Sequence, residues 1–240
     1  MTGWRGQAAV LLAGLLLACP LPAEPDHAAA RAALLREVVT TQALYGDAPF
    51  SPAVLAALGR TERHRFVPAG VVDQAYANRP LPIGHGQTIS QPYIVALMTD
   101  LLRVGAGDRV LEVGTGSGYQ AAVLAELGVR VFTQEIVAPL AAEASARLAQ
   151  LGYRDVAVRH ADGYHGWPGE APFDAIIVTA AASHVPPPLV EQLKPGGRMV
   201  IPVGSRFFTQ HLMLVEKGAD GAVTLRQLLP VRFVPLTGGH

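Results

Sequence analysis

Cysteine is nearly absent from this 240-residue sequence, in which Cys19 is the single example. A single cysteine cannot form a disulfide within the chain. Because Cys19 lies close to the N-terminus, the rest of the chain also has no thiolate nucleophile and no cysteine ligand for zinc. We therefore expect no metal site. Any chemistry must depend on oxygen groups, on histidine or on a bound cofactor.

An excess of charge of one sign is also missing. Lys plus Arg and Asp plus Glu each number 19, so the formal net charge is zero. Proteins that bind nucleic acid broadly need surplus cations to neutralise phosphates. We therefore expect no nucleic-acid partner.

The apolar run near the N-terminus is too short to cross a membrane. It extends from Ala8 to Ala18, about half of the roughly 20 residues that a spanning helix needs. Arg5 precedes it and Cys19 follows it, which is the layout of a signal peptide, so we assign residues 1–23 to a leader. Cys19 could alternatively be the acylated residue of a lipoprotein signal, or the segment could be upstream sequence read from a wrong start codon.

Apolar residues make up half of the chain, enough for one substantial core, and we expect a single domain over residues 28–240. The region from Ala28 to Leu44 and the region that follows Ser51-Pro52 read as helices. A Pro- and Gly-rich loop at residues 79–91 leads into a third helix. From Arg109 onward, apolar strands alternate with helices, which predicts a doubly wound, mostly parallel α/β sheet. Two final strands flank Ala219-Asp220-Gly221 as an antiparallel hairpin.

A glycine-rich turn follows the first strand of this region. The segment E-V-G-T-G-S-G-Y places Glu112, Gly114, Gly116 and Gly118 where an apolar strand gives way to a helix. Glycines there let backbone amides approach a ligand closely. The spacing differs from the dinucleotide fingerprint G-x-G-x-x-G, and a plain structural turn would use the same residues.

Two acidic positions follow at the ends of the next strands. Glu135 closes R-V-F-T-Q-E, where a carboxylate can bridge ribose hydroxyls. Asp162-Gly163 ends the strand after that, where methyltransferases commonly receive the adenine amino group. Glu135 fits a nicotinamide cofactor as well as S-adenosylmethionine, whereas Asp162-Gly163 favours S-adenosylmethionine.

Longer segments resemble one enzyme family. The stretch L-P-I-G-H-G-Q-T-I-S-Q-P-Y-I-V-A-L-M at residues 81–98, with E-V-G-T-G-S-G-Y-Q, P-F-D-A-I-I-V-T-A-A and V-R-F-V-P-L, is similar to the protein-L-isoaspartate O-methyltransferases. The resemblance runs from about residue 30 to Leu236. It implies a seven-stranded class I methyltransferase fold, S-adenosyl-L-methionine as the methyl donor, and isoaspartyl proteins and peptides as substrates.

The resemblance also implies that Ser90, with Thr88 beside it, forms the catalytic site. Ser90 precedes Gln91-Pro92, however, and from the residues alone a helix cap is the stronger interpretation. His85 stands where many members of the family have glutamine, and Ile136 stands where an arginine often follows the ribose-binding acid. A catalytic base is a conceivable role for His85, but a plain loop residue is the more ordinary one.

Other classes of function stay open at this point. Adenine N6-methyltransferases usually carry Asp or Asn, two prolines and an aromatic residue where this chain has Thr179-Ala180-Ala181-Ala182, and cytosine C5 enzymes need a cysteine. A binding module without turnover and a nicotinamide oxidoreductase are the rivals from other classes. On family grounds we expect a monomer in the cytoplasm. Export to the periplasm, or a lipid anchor at Cys19, is the alternative if the leader works.

Overall fold

A computed structural model of the protein describes residues 1–2, 26–46, 48–205 and 207–239. The predicted leader, with Cys19, lies outside the described residues except for Met1 and Thr2.

Helices and strands alternate along most of the described chain. The helices are α1 (His27–Tyr45), α2 (Pro52–Arg60), α3 (Pro92–Leu102), α4 (Tyr119–Ala125), α5 (Ala138–Gln150) and α6 (Pro187–Glu191). The strands are β1 (Leu81–Gly84), β2 (Gln87–Ile89), β3 (Arg109–Val113), β4 (Arg130–Glu135), β5 (Ala157–His160), β6 (Phe173–Val178), β7 (Leu193–Val203), β8 (Gln210–Lys217) and β9 (Val223–Val231).

Seven strands form the central sheet in the order β5-β4-β3-β6-β7-β8-β9. The strands from β5 to β7 in this order pair in parallel, and β8 and β9 continue the sheet antiparallel. The predicted doubly wound sheet with its C-terminal hairpin is therefore confirmed. Because β3, β4 and β6 are parallel, their carboxyl ends meet at one edge of the sheet. The strand order reverses between β3 and β6, and such folds bind ligands at that point of the edge.

Both faces of the sheet are covered. Along β3, Val110 packs into one apolar cluster and Leu111 into the other, and neither is exposed to solvent. Ile177 and Ile176 of β6 divide between the two clusters in the same way. Consecutive residues of β3 and β6 are apolar because side chains on both faces of the sheet are buried.

Side chains cap the starts of α1 and α2, and the cap of α2 is the predicted one. Ser51 accepts a hydrogen bond from the backbone N–H of Val54 at 3.4 Å, with Pro52 in the first turn of α2. Asp26 accepts one from Ala29 at 2.9 Å at the start of α1. These side chains satisfy backbone donors that a helix leaves unpaired.

The predicted loop at residues 79–91 is instead an antiparallel hairpin of β1 and β2. Leu81, Ile83 and Ile89 are buried while their neighbours are exposed or half-buried. This alternation covers only a few residues next to glycines, so the sequence pattern did not predict strands here. His85 and Gly86 form the turn, both with positive φ. Such a turn matches the twist of paired strands.

Within the described residues, no helix is long and apolar enough to cross a membrane.

Candidate active site

An inner cavity opens where β3, β4 and β6 end. Its walls include predicted site residues from four separate parts of the chain, namely Thr88, Gly114, Gly116, Glu135 and Gly163. The residues adjoining them in the wall include Val113, Gln134, Ile136, Thr179 and the C-terminal segment Val234, Pro235, Leu236 and Thr237. The structure therefore brings most of the predicted cofactor residues together.

The glycine turn forms the floor of this cavity. Gly114 and Gly116 have φ values of 99° and 53°. The N–H groups of Gly114 and Thr115 both donate to the carbonyl of Gln134, at 2.8 and 3.1 Å. A Cβ added at Gly114 would lie 2.3 Å from Thr179 Oγ1, so the turn has no room for a side chain there.

Gly118 has a different role from the other two glycines. It begins α4 with φ 88°, and it is not among the residues that line the inner cavity. A Cβ there would lie 3.1 Å from Leu148 Cγ on α5. Gly118 thus allows α4 to start close against α5, and the structure offers no direct contact to a ligand.

Glu135 joins the glycine turn to the chain that follows β4. Its Oε2 accepts from the N–H of Gly116 at 2.8 Å, and its Oε1 accepts from the N–H of Val137 at 2.9 Å. A carboxylate has about four acceptor sites, so both oxygens can accept further hydrogen bonds at the cavity wall. Glu135 is therefore both a ligand candidate and a brace for the turn.

Glu112 is not among the residues that line the inner cavity. The side chain is completely buried, and neither carboxyl oxygen has a hydrogen-bond partner among the described residues. Burial raises the pKa of Glu112 to about 8, and the charge of Glu135 adds to the shift. The Thr133 hydroxyl opposes it, but that hydroxyl pairs with Thr115 at 2.6 Å. Glu112 is thus mostly uncharged at neutral pH, beneath the glycine turn.

Asp162 lies beside the cavity and is already engaged. Its Oδ1 accepts from the N–H of Tyr164, and its Oδ2 accepts from the N–H of Gly239, both at 3.0 Å. Gly163, the next residue, does line the cavity, and a Cβ there would lie 2.3 Å from Val113 Cγ1. An adenine amino group would have to share the Asp162 carboxylate with the C-terminal tail, so this role stays a prediction.

The C-terminal tail forms one wall of the cavity. It runs alongside the segment after β6, with the N–H of Ala181 donating to Val234 at 2.8 Å and the N–H of Leu236 donating to Ala181 at 2.7 Å. These backbone bonds hold Val234 to Leu236 over the ends of the strands.

The walls of the inner cavity fit the cofactor that the resemblance implies. S-adenosylmethionine carries a ribose with hydroxyl donors beside a flat adenine ring. Glu135 has acceptor capacity for the hydroxyls, and Val113, Ile136 and Leu236 supply apolar surface for the ring. The close contacts at Gly114 and Gly163 show that both positions need a residue without a side chain.

An outer groove adjoins the inner cavity on the side of α3. Its walls include Ser90, Gln91, Ile94, Arg232 and Phe233. Thr88, Thr179 and Val234 line both spaces. A group bound in the groove and a group bound in the cavity would therefore meet at these shared residues.

Ser90 is not the cap of α3. The cap position belongs to Gln91, which makes no side-chain capping bond, and the backbone N–H of Tyr93 donates to Asn78 Oδ1 at 3.0 Å. Within the part of the chain that the structure describes, the Ser90 side chain makes no hydrogen bond. The cap interpretation is therefore wrong, and the hydroxyl is available to a ligand in the groove.

The two departures from the family pattern fall in different places. Ile136 lines the inner cavity, whereas His85 lies exposed at the hairpin turn and lines neither space. The structure gives no support to His85 as a base.

Two functional candidates and one structural residue were not assigned from the sequence. Thr179 donates its hydroxyl to the carbonyl of Gly114 at 2.6 Å and stands between the two spaces. Arg232 is the charged side chain in the wall of the groove. Asn78 supplies the cap of α3. Thr179 and Arg232 lie inside the segments that carry the resemblance, but nothing in those segments indicates which way they face.

Among the described residues, no group of His, Cys, Asp or Glu could hold a metal ion.

Comparisons with known proteins agree with one another. A family model described as protein-L-isoaspartate(D-aspartate) O-methyltransferase matches residues 38–240. Protein-L-isoaspartate O-methyltransferase 1 of Nitrosospira multiformis is 60% identical over 223 residues, covering 92% of this chain and 93% of that protein. Protein-L-isoaspartate O-methyltransferase 2 of Polaromonas sp. is 64% identical over 206 residues, covering 86% and 96%.

A solved structure extends the likeness to the fold. It is a protein-L-isoaspartate O-methyltransferase of Plasmodium falciparum in complex with S-adenosyl-L-homocysteine. It is 26% identical, with a TM-score of 0.73, and the match covers 89% of this chain and 99% of that one.

Proposed function

Because this chain belongs to the protein-L-isoaspartate(D-aspartate) O-methyltransferase family, we infer that it transfers a methyl group from S-adenosylmethionine to the free α-carboxylate of L-isoaspartyl residues in damaged proteins. We propose that the inner cavity holds the methyl donor and that the outer groove holds the isoaspartyl residue. The observation that carries this assignment is the common wall formed by Thr88, Thr179 and Val234.

The inner cavity would hold the donor through a few fixed groups. Glu135 would accept from the ribose hydroxyls while it keeps its bonds to Gly116 and Val137. Gly114 and Gly163 leave space along the strand ends, and Asp162 would receive the adenine amino group. When bound, S-adenosylmethionine supplies an electrophilic methyl group on a positively charged sulfur.

The acceptor needs little chemical activation. An α-carboxyl has a reference pKa of roughly 3.3 to 3.7, so it is already an anion at neutral pH. No base is therefore required to remove a proton from the acceptor. The task of the protein is orientation, which can lower a barrier by up to roughly 7 to 11 kcal/mol in favourable cases.

The hydroxyls of Ser90 and Thr88 are the proposed donors to the carboxylate. Neither hydroxyl makes a hydrogen bond elsewhere in the described chain, so binding the substrate would not break an existing one. Thr179, in contrast, donates its hydroxyl to the carbonyl of Gly114. It would line the site and hold the glycine turn in place.

Arg232 would attract the substrate rather than activate it. A cation in the wall of the groove favours the approach of an anion over long range. If its guanidinium remained close to the carboxylate during transfer, it would stabilise the anion before the reaction and slow the attack. We therefore assign Arg232 to capture of the substrate.

The decisive experiment uses labelled S-adenosylmethionine with an isoaspartyl peptide and its normal aspartyl twin. We expect label in the isoaspartyl peptide alone. The product should be an ester that releases methanol in mild alkali, whereas an N-methyl product would survive. Equal labelling of the twins, no labelling of either, or a product stable to alkali would each refute the function.

We further propose that the enzyme is monomeric and works in the cytoplasm, where its methyl donor is made. Light scattering should give the mass of one chain. A mature N-terminus at Cys19 or Glu24 in a periplasmic fraction would overturn the proposed location.

A further inference from the structure

Two neighbouring phenylalanines on the loop between β7 and β8 are largely exposed. Phe207 is 79% exposed and Phe208 is 80% exposed. All seven phenylalanines of the sequence are in the described part of the chain, and the other five are buried or half-buried. A pair of exposed large apolar side chains is a typical mark of a binding surface.

The loop that carries this pair is hydrogen-bonded at one end to the segment that follows the groove residue Thr179, and at the other end to a residue of the groove wall. At its start, the N–H of Gly204 donates to the carbonyl of Ala182 at 2.8 Å, in the segment that begins with Thr179. At its end, the Gln210 side chain accepts from the N–H of Phe233 at 2.6 Å and donates to the carbonyl of Phe233 at 3.1 Å. Phe233 itself lines the groove. The aromatic pair therefore lies at the same edge of the sheet as the groove.

Local contacts join the described residues of the loop. The N–H of Phe208 donates to the carbonyl of Ser205 at 3.2 Å, and the N–H of Phe207 donates to Ser205 Oγ at 3.2 Å. Gly204 has a φ of 147°, and a Cβ there would lie 2.8 Å from Gln210 Cα. The close approach of the two ends of the loop thus depends on a glycine.

We propose that Phe207 and Phe208 form a docking surface for the polypeptide that carries the isoaspartyl residue, and that they bind apolar side chains which flank that residue. This inference rests on the proposed function. The substrate is a polymer, and an extended chain advances roughly 3.3 Å per residue. Residues next to the isoaspartyl group must therefore leave the groove and cross the surface beside it.

The chemistry of an aromatic pair suits such a substrate. Apolar contact has no directional requirement, so it strengthens binding without demanding one sequence. Damaged segments differ in sequence, and flexible segments expose apolar side chains that a folded protein would bury. Two adjacent rings would favour substrates with an apolar residue near the damage over those without one.

The test compares two isoaspartyl peptides with the variant F207S/F208S. One peptide has leucine and phenylalanine beside the isoaspartyl residue, and the other has glycine and serine there. We expect the variant to raise KM for the apolar peptide roughly tenfold, which is typical of losing aromatic anchors. The KM for the polar peptide, the kcat for both peptides and the KM for S-adenosylmethionine should stay as in the wild type.

A matched control removes exposed apolar residues near the turn between β8 and β9, at the opposite end of β8. Val223 and Leu225 are 39% and 55% exposed at the start of β9. At about 3.3 Å per residue, they lie some 20 to 27 Å from the end of β9 that borders the groove. The variant V223S/L225S should leave both peptide KM values unchanged. The variant F207L/F208L keeps apolar surface and should restore most of the affinity for the apolar peptide.

Several outcomes would overturn the docking surface. One is an unchanged KM for the apolar peptide in a folded F207S/F208S enzyme, and another is an equal rise for both peptides. Loss of binding to anionic lipid vesicles with unchanged peptide KM values would assign the pair to a membrane instead. A wild-type enzyme that methylates neither peptide would refute the proposed function itself, and this inference with it.

Discussion

Substitutions at Ser90 and Asn78 should affect different properties of the enzyme, the first its turnover and the second its stability. Ser90 lies in the outer groove, and its hydroxyl makes no hydrogen bond to the described residues. Asn78 caps α3 through the backbone N–H of Tyr93. If Ser90 holds the substrate carboxylate, Ser90→Ala should lower turnover and spare stability. Asn78→Ala should lower stability, with any effect on turnover arising through α3.

The structure allows rough magnitudes for both changes. The bond from Tyr93 N to Asn78 Oδ1 is 3.0 Å, and losing such a cap costs about 0.5 to 2 kcal/mol of stability. Ser90→Ala breaks no bond within the described chain and should change stability by less than about 0.5 kcal/mol. A hydrogen bond to a charged group contributes about 1.5 to 3 kcal/mol, which corresponds to a loss of roughly 10- to 150-fold in kcat/KM.

Two measurements separate these outcomes. Urea unfolding gives the free energy of unfolding of each variant, and initial rates with an isoaspartyl peptide give kcat/KM. Calorimetric titration with S-adenosylmethionine should show near-wild-type affinity for Ser90→Ala, because Ser90 does not line the inner cavity. Ser90→Asp makes the test sharper, since its charge would repel an incoming carboxylate.

The reasoning fails if Ser90→Ala loses stability while it keeps full turnover. It also fails if a folded Ser90→Asp enzyme is active, because the acceptor site would then be elsewhere.

The remaining predictions concern Glu135, Arg232 and Glu112. Glu135→Ala should weaken S-adenosylmethionine binding about tenfold or more, because it leaves ligand and backbone donors unpaired; wild-type affinity by calorimetry would exclude the proposed contact. Arg232→Gln should raise KM for the isoaspartyl peptide and reduce its dependence on salt, with kcat nearly unchanged; an unaltered salt dependence would exclude capture by charge. Glu112→Gln should bind S-adenosylmethionine normally. Since the pKa of Glu112 rises from its ordinary value of 4.5 to about 8 on folding, wild-type stability should fall as pH rises between these values, and urea titrations should show a smaller fall in the variant.

The sequence by itself determined the architecture. Apolar strands alternating with helices required a parallel sheet buried on both faces, and the final hairpin followed from its turn residues. The positions of Gly114, Gly116 and Glu135 could be predicted because each follows a strand, and the carboxyl ends of parallel strands meet at one edge. The strand and helix pattern, the hairpin turn and the strand-end positions all depend on residues that are close together in the sequence.

Only the tertiary structure decided which side chains face the site. Glu112 belongs to the same motif as Gly114, but the strand turns it into the core. Gly118 allows helix packing, which depends on Leu148 at a distant position in the sequence. The short alternation in β1 and β2 became a hairpin because Leu81 and Ile89 bury their side chains in the core.

Ser90 shows the physical reason most clearly. A serine before Gln91-Pro92 has the local features of a helix cap, and a sequence cannot reveal that Asn78 reaches the same backbone N–H from another segment. The hydrogen bonds of a helix end can be satisfied by any nearby polar group, and proximity in space is set by packing rather than by order along the chain. The role of Ser90 therefore depended on where the segment that carries Asn78 lies against α3, which only the folded structure shows.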